Sequence, residues 1–115
     1  MSKRSDSDCL RDIAEALRRI GDYVAGLTSH EFMEDKRTQD AVGRNLEVMG
    51  EATKNLSKRL RDAHPNVPWK DMAGVRDKVI HHYFGINLEI VWEIAKGESP
   101  ELLRQIGAIH GEQEG

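Results

Sequence analysis

Within the stretch Arg76-Asp77-Lys78-Val79-Ile80-His81-His82-Tyr83 a guanidinium, a carboxylate, two imidazoles and a phenol lie close together along the chain. Arginine is a permanently charged planar fork that fits a phosphate, and histidine takes or gives a proton near neutral pH. Together they suit cleavage of an RNA phosphodiester. In that reaction the 2′-hydroxyl of the substrate is the nucleophile. The protein must then supply a base for the hydroxyl, an acid for the leaving oxygen and a cation for the charge that develops on phosphorus. Such a step calls for no metal and no cofactor.

These side chains can act only if an element aims them, and the spacing predicts a helix from about Gly74 to Phe84. Val75, Val79 and His82 would line one stripe of it, which makes His82 the packing histidine. Asp77 and His81 stand four apart on the other side, where the carboxylate can orient the ring and favour its charged form. His81 is therefore the catalytic candidate, with Asp77 in support. On a straight helix, however, Arg76 and His81 are turned about 140° from each other, and His81 and His82 diverge by about 100°. A second copy of the motif would supply the missing group, so a catalytic form is expected to be a homodimer with a self-complementary interface.

Composition narrows the fold that could carry this helix. The 115 residues suit one domain spanning 1–115, ordered over about 7–111 with a loose tail beyond. Aromatic residues make up only 5%, so the core must come from Leu, Ile, Val, Met and Ala, which favours packed helices over a sheet. With 17 basic against 20 acidic residues the net charge is −3, which excludes a general nucleic-acid coat. RNA contact must then be local, with candidate patches at Arg18-Arg19 and at Lys54, Lys58, Arg59 and Arg61, each of which also fits a solvated helix face. The lone Cys9 forms no internal disulfide, and no charged-then-apolar leader or long apolar run opens the chain. A cytoplasmic location without membrane insertion is expected.

Leu10, Ile13, Ala14, Leu17, Ile20, Val24 and Leu27 recur at helical spacing and predict an amphipathic helix over about 7–27. Thr28-Ser29-His30-Glu31 matches a capping box. A second long helix is expected from about Thr38 through Leu60, stopping near His64-Pro65. Trp69 to Met72 should form a brief helical bridge that plugs one end of the bundle. Past the motif, Asn87 can cap a helix through Ala95, and Ser99-Pro100-Glu101 has the order of an N-cap, N1 and N2. The result is an all-α, up-and-down bundle of four to five helices. His30, His64 and His110 are too dispersed for a metal site, and no glycine-rich phosphate loop is present.

Arg76, four intervening residues, His81, one residue and Tyr83 together match the Arg-X4-His-X-Tyr signature of HepT-type toxins of the HEPN superfamily. The resemblance runs from about Asp8 to Ile109. It includes Gly50-Glu51-Ala52, Pro65-Asn66-Val67-Pro68-Trp69, Val91-Trp92 and Ser99-Pro100-Glu101-Leu102. It implies a HEPN-like bundle that dimerises through the motif region and acts as a metal-independent endoribonuclease toxin. The implied partner is a minimal nucleotidyltransferase antitoxin of the MntA type. Arg76 and His81 would be catalytic, Asp77 would fill the polar position after the arginine, and Tyr83 would be the residue modified with AMP. The resulting phosphodiester places negative charge and bulk beside Arg76, where it would repel RNA. Asn87 departs from the aspartate that the family often has there, which removes one charge near the cleft.

The same residues leave a second class open, a non-catalytic dimeric module that binds a nucleotidyltransferase and is modified by it. An adaptor with neither property is the third possibility. Chelator-resistant RNA cleavage separates the first from the other two.

Overall fold

Short-range capping chemistry sets most helix starts. Ser5 accepts a hydrogen bond from the Asp8 amide and opens α1, Asp6–Val24. The Thr28 hydroxyl accepts from the Glu31 amide at 3.1 Å, and the Glu31 carboxylate accepts from the Thr28 amide at 2.9 Å. This reciprocal capping box opens α2, Ser29–Glu34, as the sequence predicts. Asp35, which accepts from the Thr38 amide, starts α3, Lys36–Lys54. The computed structural model describes residues 4–81 and 85–114.

The second long helix is not continuous to His64. It ends at Lys54, and a new helix α4, Lys58–Ala63, starts behind Ser57, whose hydroxyl accepts from the Leu60 amide. Asp6 explains the break. Its carboxylate accepts from both the Ser57 amide, at 2.8 Å, and the Ser57 hydroxyl, at 2.6 Å. These bonds draw Ser57 out of the helix and onto the start of α1, and apolar spacing carries no trace of them.

The bridge expected at Trp69 is α5, Trp69–Ala73. Trp69 and Met72 are buried, and the indole N–H of Trp69 donates to the His64 carbonyl at 2.9 Å. Trp69 is thus a plug with its polar atom satisfied. Next come α6, Val75–Val79, and two short strands, β1, Ile80–His81, and β2, Gly85–Ile86. The strands pair antiparallel with Ile80 opposite Ile86 and His81 opposite Gly85.

Asn87 caps α7, Leu88–Glu93, by accepting from the Ile90 amide. The chain does not restart at Ser99. A π-helical turn, Ile94–Glu98, carries α7 directly into α8, Ser99–Glu114. Ser99 has helical dihedrals and is buried, and its hydroxyl donates back to the Ile94 carbonyl at 3.0 Å instead of capping a new helix. Pro100 has no N–H to give, and the wide turn just before it accommodates that loss without a break. The last helix also runs through Glu114, beyond the Gly111 at which the sequence predicted it to loosen.

The fold is all-α around one core. Helix α1 packs against α3 and α8, burying Leu10, Ile13, Leu17 and Ile20 against Leu46, Met49 and Ile106 among others. Helices α5 and α6 lie on α3, and α6 also meets α7. Phe32 of α2 is fully buried and stacks at a tilt on Trp92 of α7, with ring centres 5.2 Å apart. Among the described residues no helix is long and apolar enough to cross a membrane.

Candidate active site

Helix α6 is placed by its own apolar side. Val75 and Val79 are buried, so the opposite side, with Arg76, Asp77 and Lys78, faces solvent. Lys78 reaches back to Asp71 of α5 at 3.4 Å. The Asp77 amide donates to the Gly74 carbonyl at 3.0 Å, which fixes the first turn while leaving the Asp77 carboxylate exposed.

Arg76 borders a shallow groove between α6 and α3, together with Glu47, Gly50, Glu51, Lys54 and Ala73. The other charges of that groove are compensated. Glu47 pairs with Arg44 at 3.9 Å and Glu51 with Lys54 at 3.6 Å. Arg76 has no ion pair with any of the described residues, and its exposed side chain borders the groove. A guanidinium in that state keeps its donors for an incoming phosphate.

The motif is not one helix. α6 stops at Val79, whose carbonyl accepts from the Asn87 amide at 2.6 Å, and the backbone enters β1 at Ile80. The predicted helix to Phe84 is therefore corrected. Two consecutive β-branched residues, Val79 and Ile80, favour extended backbone at that point, and the pairing with β2 supplies the hydrogen bonds a continued helix would have made. The angular reasoning falls with the helix. Arg76 and His81 are not held about 140° apart by a common axis, and Asp77 and His81 are not an i,i+4 pair on one helix. The backbone of His81 is placed in β1, opposite Gly85. His82 and Tyr83 lie outside the described residues, and with them the packing role expected of His82 and the modification expected at Tyr83.

The basic clusters read mainly as solvated helix faces. Arg19 pairs with Glu15 at 2.6 Å and Lys58 with Asp62 at 2.6 Å, each four residues apart on one helix. The Arg61 Nε donates to the Ser57 carbonyl. Lys54 alone of these candidates borders the Arg76 groove. Sequence reasoning did not connect α3 to Arg76, because the two segments meet only through tertiary packing. The available signal was Gly50, a glycine in the middle of an otherwise well-formed helix.

Residues 13–109 match the family described as Ribonuclease HepT-like, over a span that includes the whole motif. The chain belongs to the HepT-like ribonuclease family. It is thus a HepT-type protein of the HEPN superfamily, as the Arg-X4-His-X-Tyr signature implied. It is 47% identical over 115 residues to "Putative RNase MJ0127" of Methanocaldococcus jannaschii, covering 100% of this chain and 95% of that protein. It is 44% identical over 100 residues to "Probable ribonuclease HepT" of Thermococcus cleftensis, covering 87% of this chain and 91% of the relative. A comparison with solved structures found no match.

Proposed function

We propose that this protein is a metal-independent endoribonuclease that cuts RNA by internal attack of the 2′-hydroxyl, at a site completed by two copies of the chain. The match of residues 13–109 to a ribonuclease family carries this reading, and the exposed Arg76 on α6, without an ion pair among the described residues, supports it. In the proposed step one imidazole takes the 2′-hydroxyl proton, O2′ bonds to phosphorus, and the bond from phosphorus to the 5′-oxygen breaks. A second imidazole protonates that leaving oxygen. The products are a 2′,3′-cyclic phosphate and a 5′-hydroxyl, with no water consumed. Arg76 holds the non-bridging oxygens as charge builds on them.

The step needs a base and an acid together, and in this proposal His81 of one chain supplies one and His81 of a second chain the other. That chemical requirement, and not the helix geometry, is the ground for proposing a homodimer. Asp77, exposed one residue after Arg76, is the polar residue proposed to support the site. In the regulatory part of the proposal, a nucleotidyltransferase of the MntA type adds AMP to Tyr83, and the added negative charge would repel the RNA backbone.

The test is incubation of purified protein with RNA in excess chelator. Cleavage is expected to persist, to leave cyclic phosphate ends, and to be lost in Arg76→Ala and His81→Ala variants that keep the wild-type Tm. Intact RNA, with retained binding to the nucleotidyltransferase, would replace this reading with that of a non-catalytic module. Mass spectrometry after incubation with that partner and ATP is expected to find adenylate on the wild type and none on Tyr83→Phe.

A further inference from the structure

Gly50 lies on the buried side of α3, where α5 gives way to α6. A β-carbon built on it would stand 3.3 Å from the Met72 carbonyl oxygen, 3.3 Å from Val75 Cγ1 and 3.6 Å from the Ala73 carbonyl oxygen. The neighbours are thus the last turn of α5 and the first residue of α6, and Arg76 is the next residue along. Both Gly50 and Arg76 border the same groove.

The junction cannot yield atom by atom. The Met72 amide donates to the Pro68 carbonyl, the Gly74 amide to the Lys70 carbonyl and the Asp77 amide to the Gly74 carbonyl, each at 3.0 Å. Met72 and Val75 are also seated in the core. A carbonyl tied into such a frame moves only with its frame. A methyl group at position 50 would therefore push the α5–α6 junction away from α3 by a few tenths of an ångström, and Arg76 would travel with it.

We infer that Gly50 is a positioning residue for Arg76: its missing side chain lets the motif segment settle on α3 at the depth that sets the guanidinium over the groove. The inference rests on the ribonuclease reading and adds to it a residue that does not touch the substrate. A glycine inside a helix costs stability relative to alanine, so a purely structural account predicts that Gly50→Ala is neutral or stabilising apart from the contact. A positioning account predicts lost turnover without lost fold.

Gly50→Ala is expected to keep its Tm within about 5 °C of the wild type while kcat for RNA cleavage falls about three- to tenfold, because sub-ångström misplacement of a catalytic group is enough to slow the step. The pH profile of kcat should keep its shape. The double variant Gly50→Ala with Val75→Ala, which opens one of the two closest contacts, should turn over faster than Gly50→Ala alone. Wild-type kcat in Gly50→Ala, or a double variant no faster than the single one, overturns the inference. If Gly50→Ala does not fold, Val75→Ile decides, since it adds a methyl to the same contact from the other side. Lowered kcat supports the inference and unchanged kcat refutes it. Arg76→Ala separates the two levels: if it cuts RNA as well as the wild type, the ribonuclease site is misassigned, whereas an inactive Arg76→Ala beside a fully active Gly50→Ala defeats the role of Gly50 alone.

Discussion

The clasp between Asp6 and Ser57 provides a quantitative test of why α3 and α4 are separate helices. The partly buried Asp6 carboxylate accepts two hydrogen bonds from one residue fifty-one positions away, from the amide at 2.8 Å and from the hydroxyl at 2.6 Å. Hydrogen bonds to charged groups contribute about 1.5–3 kcal/mol where buried, and partial exposure places this pair near the lower end, at about 2 kcal/mol for the two together. Unfolding entropy of about 2.1 cal/mol/K per residue amounts to about 0.24 kcal/mol/K for a chain of this length, so Asp6→Ala should lower Tm by about 8 °C. Ser57→Ala keeps the amide bond to Asp6 but loses the hydroxyl bond and the cap on the Leu60 amide, so it should cost about 2 kcal/mol in all. The decisive measurement is a double-mutant cycle by urea unfolding. If the clasp is real, the double variant loses less than the two single losses added together, by about 1–2 kcal/mol. Additive losses would mean that the two residues do not support each other, and the explanation of the helix break would fail.

The capping carboxylate of Asp35 is held below the usual aspartate range, first by the Thr38 hydroxyl and then by the Thr38 amide. A carboxyl whose folded pKa is depressed stabilises the fold fully above its unfolded pKa, and that contribution disappears as pH falls through the folded value. Tm followed from about pH 5 to pH 2 should therefore drop less steeply in Asp35→Ser, which keeps a capping oxygen but does not titrate, and an unchanged slope would refute the assignment. Cys9 is fully buried, and burial pushes its thiol upward from the ordinary cysteine value. A thiol reagent at neutral pH should label it only at the rate of local opening or in denaturant, and rapid labelling of the native protein would contradict that burial.

Long-range order in this chain was legible where a local rule decides it. The capping box at Thr28, the cap at Asn87, the plug at Trp69 and the apolar stripe of α1 follow from side chains within a few residues of one another, and all four are present. What periodicity missed depends on partners distant in sequence or on wider turns. Leu56 and Leu60 continue the apolar spacing of α3, yet Asp6 takes Ser57 out of that helix. The order Ser99-Pro100-Glu101 is a start signal in isolation, but a π turn absorbs the proline and Ser99 turns its hydroxyl inward. At the candidate site the element that carries Arg76 was misjudged, since helical spacing at Val75 and Val79 gives no warning that pairing with β2 begins at Ile80. The groove wall on α3 was unreadable for the same reason, as it is made by packing.

The π turn at Ile94–Glu98 also has a mechanical consequence. Gly97 and Pro100 would each make a ready hinge in an ordinary helix, yet the backbone passes through both and runs unbroken from Leu88 to Glu114. The helical run covers 27 residues without a loop. One end begins at Asn87, tied by its amide to Val79 at the close of α6, while the far portion is seated along α1. The motif end and the body of the bundle are therefore joined by hydrogen-bonded helix and not by a loop, so a displacement at Asn87 is carried by backbone that also packs on α1.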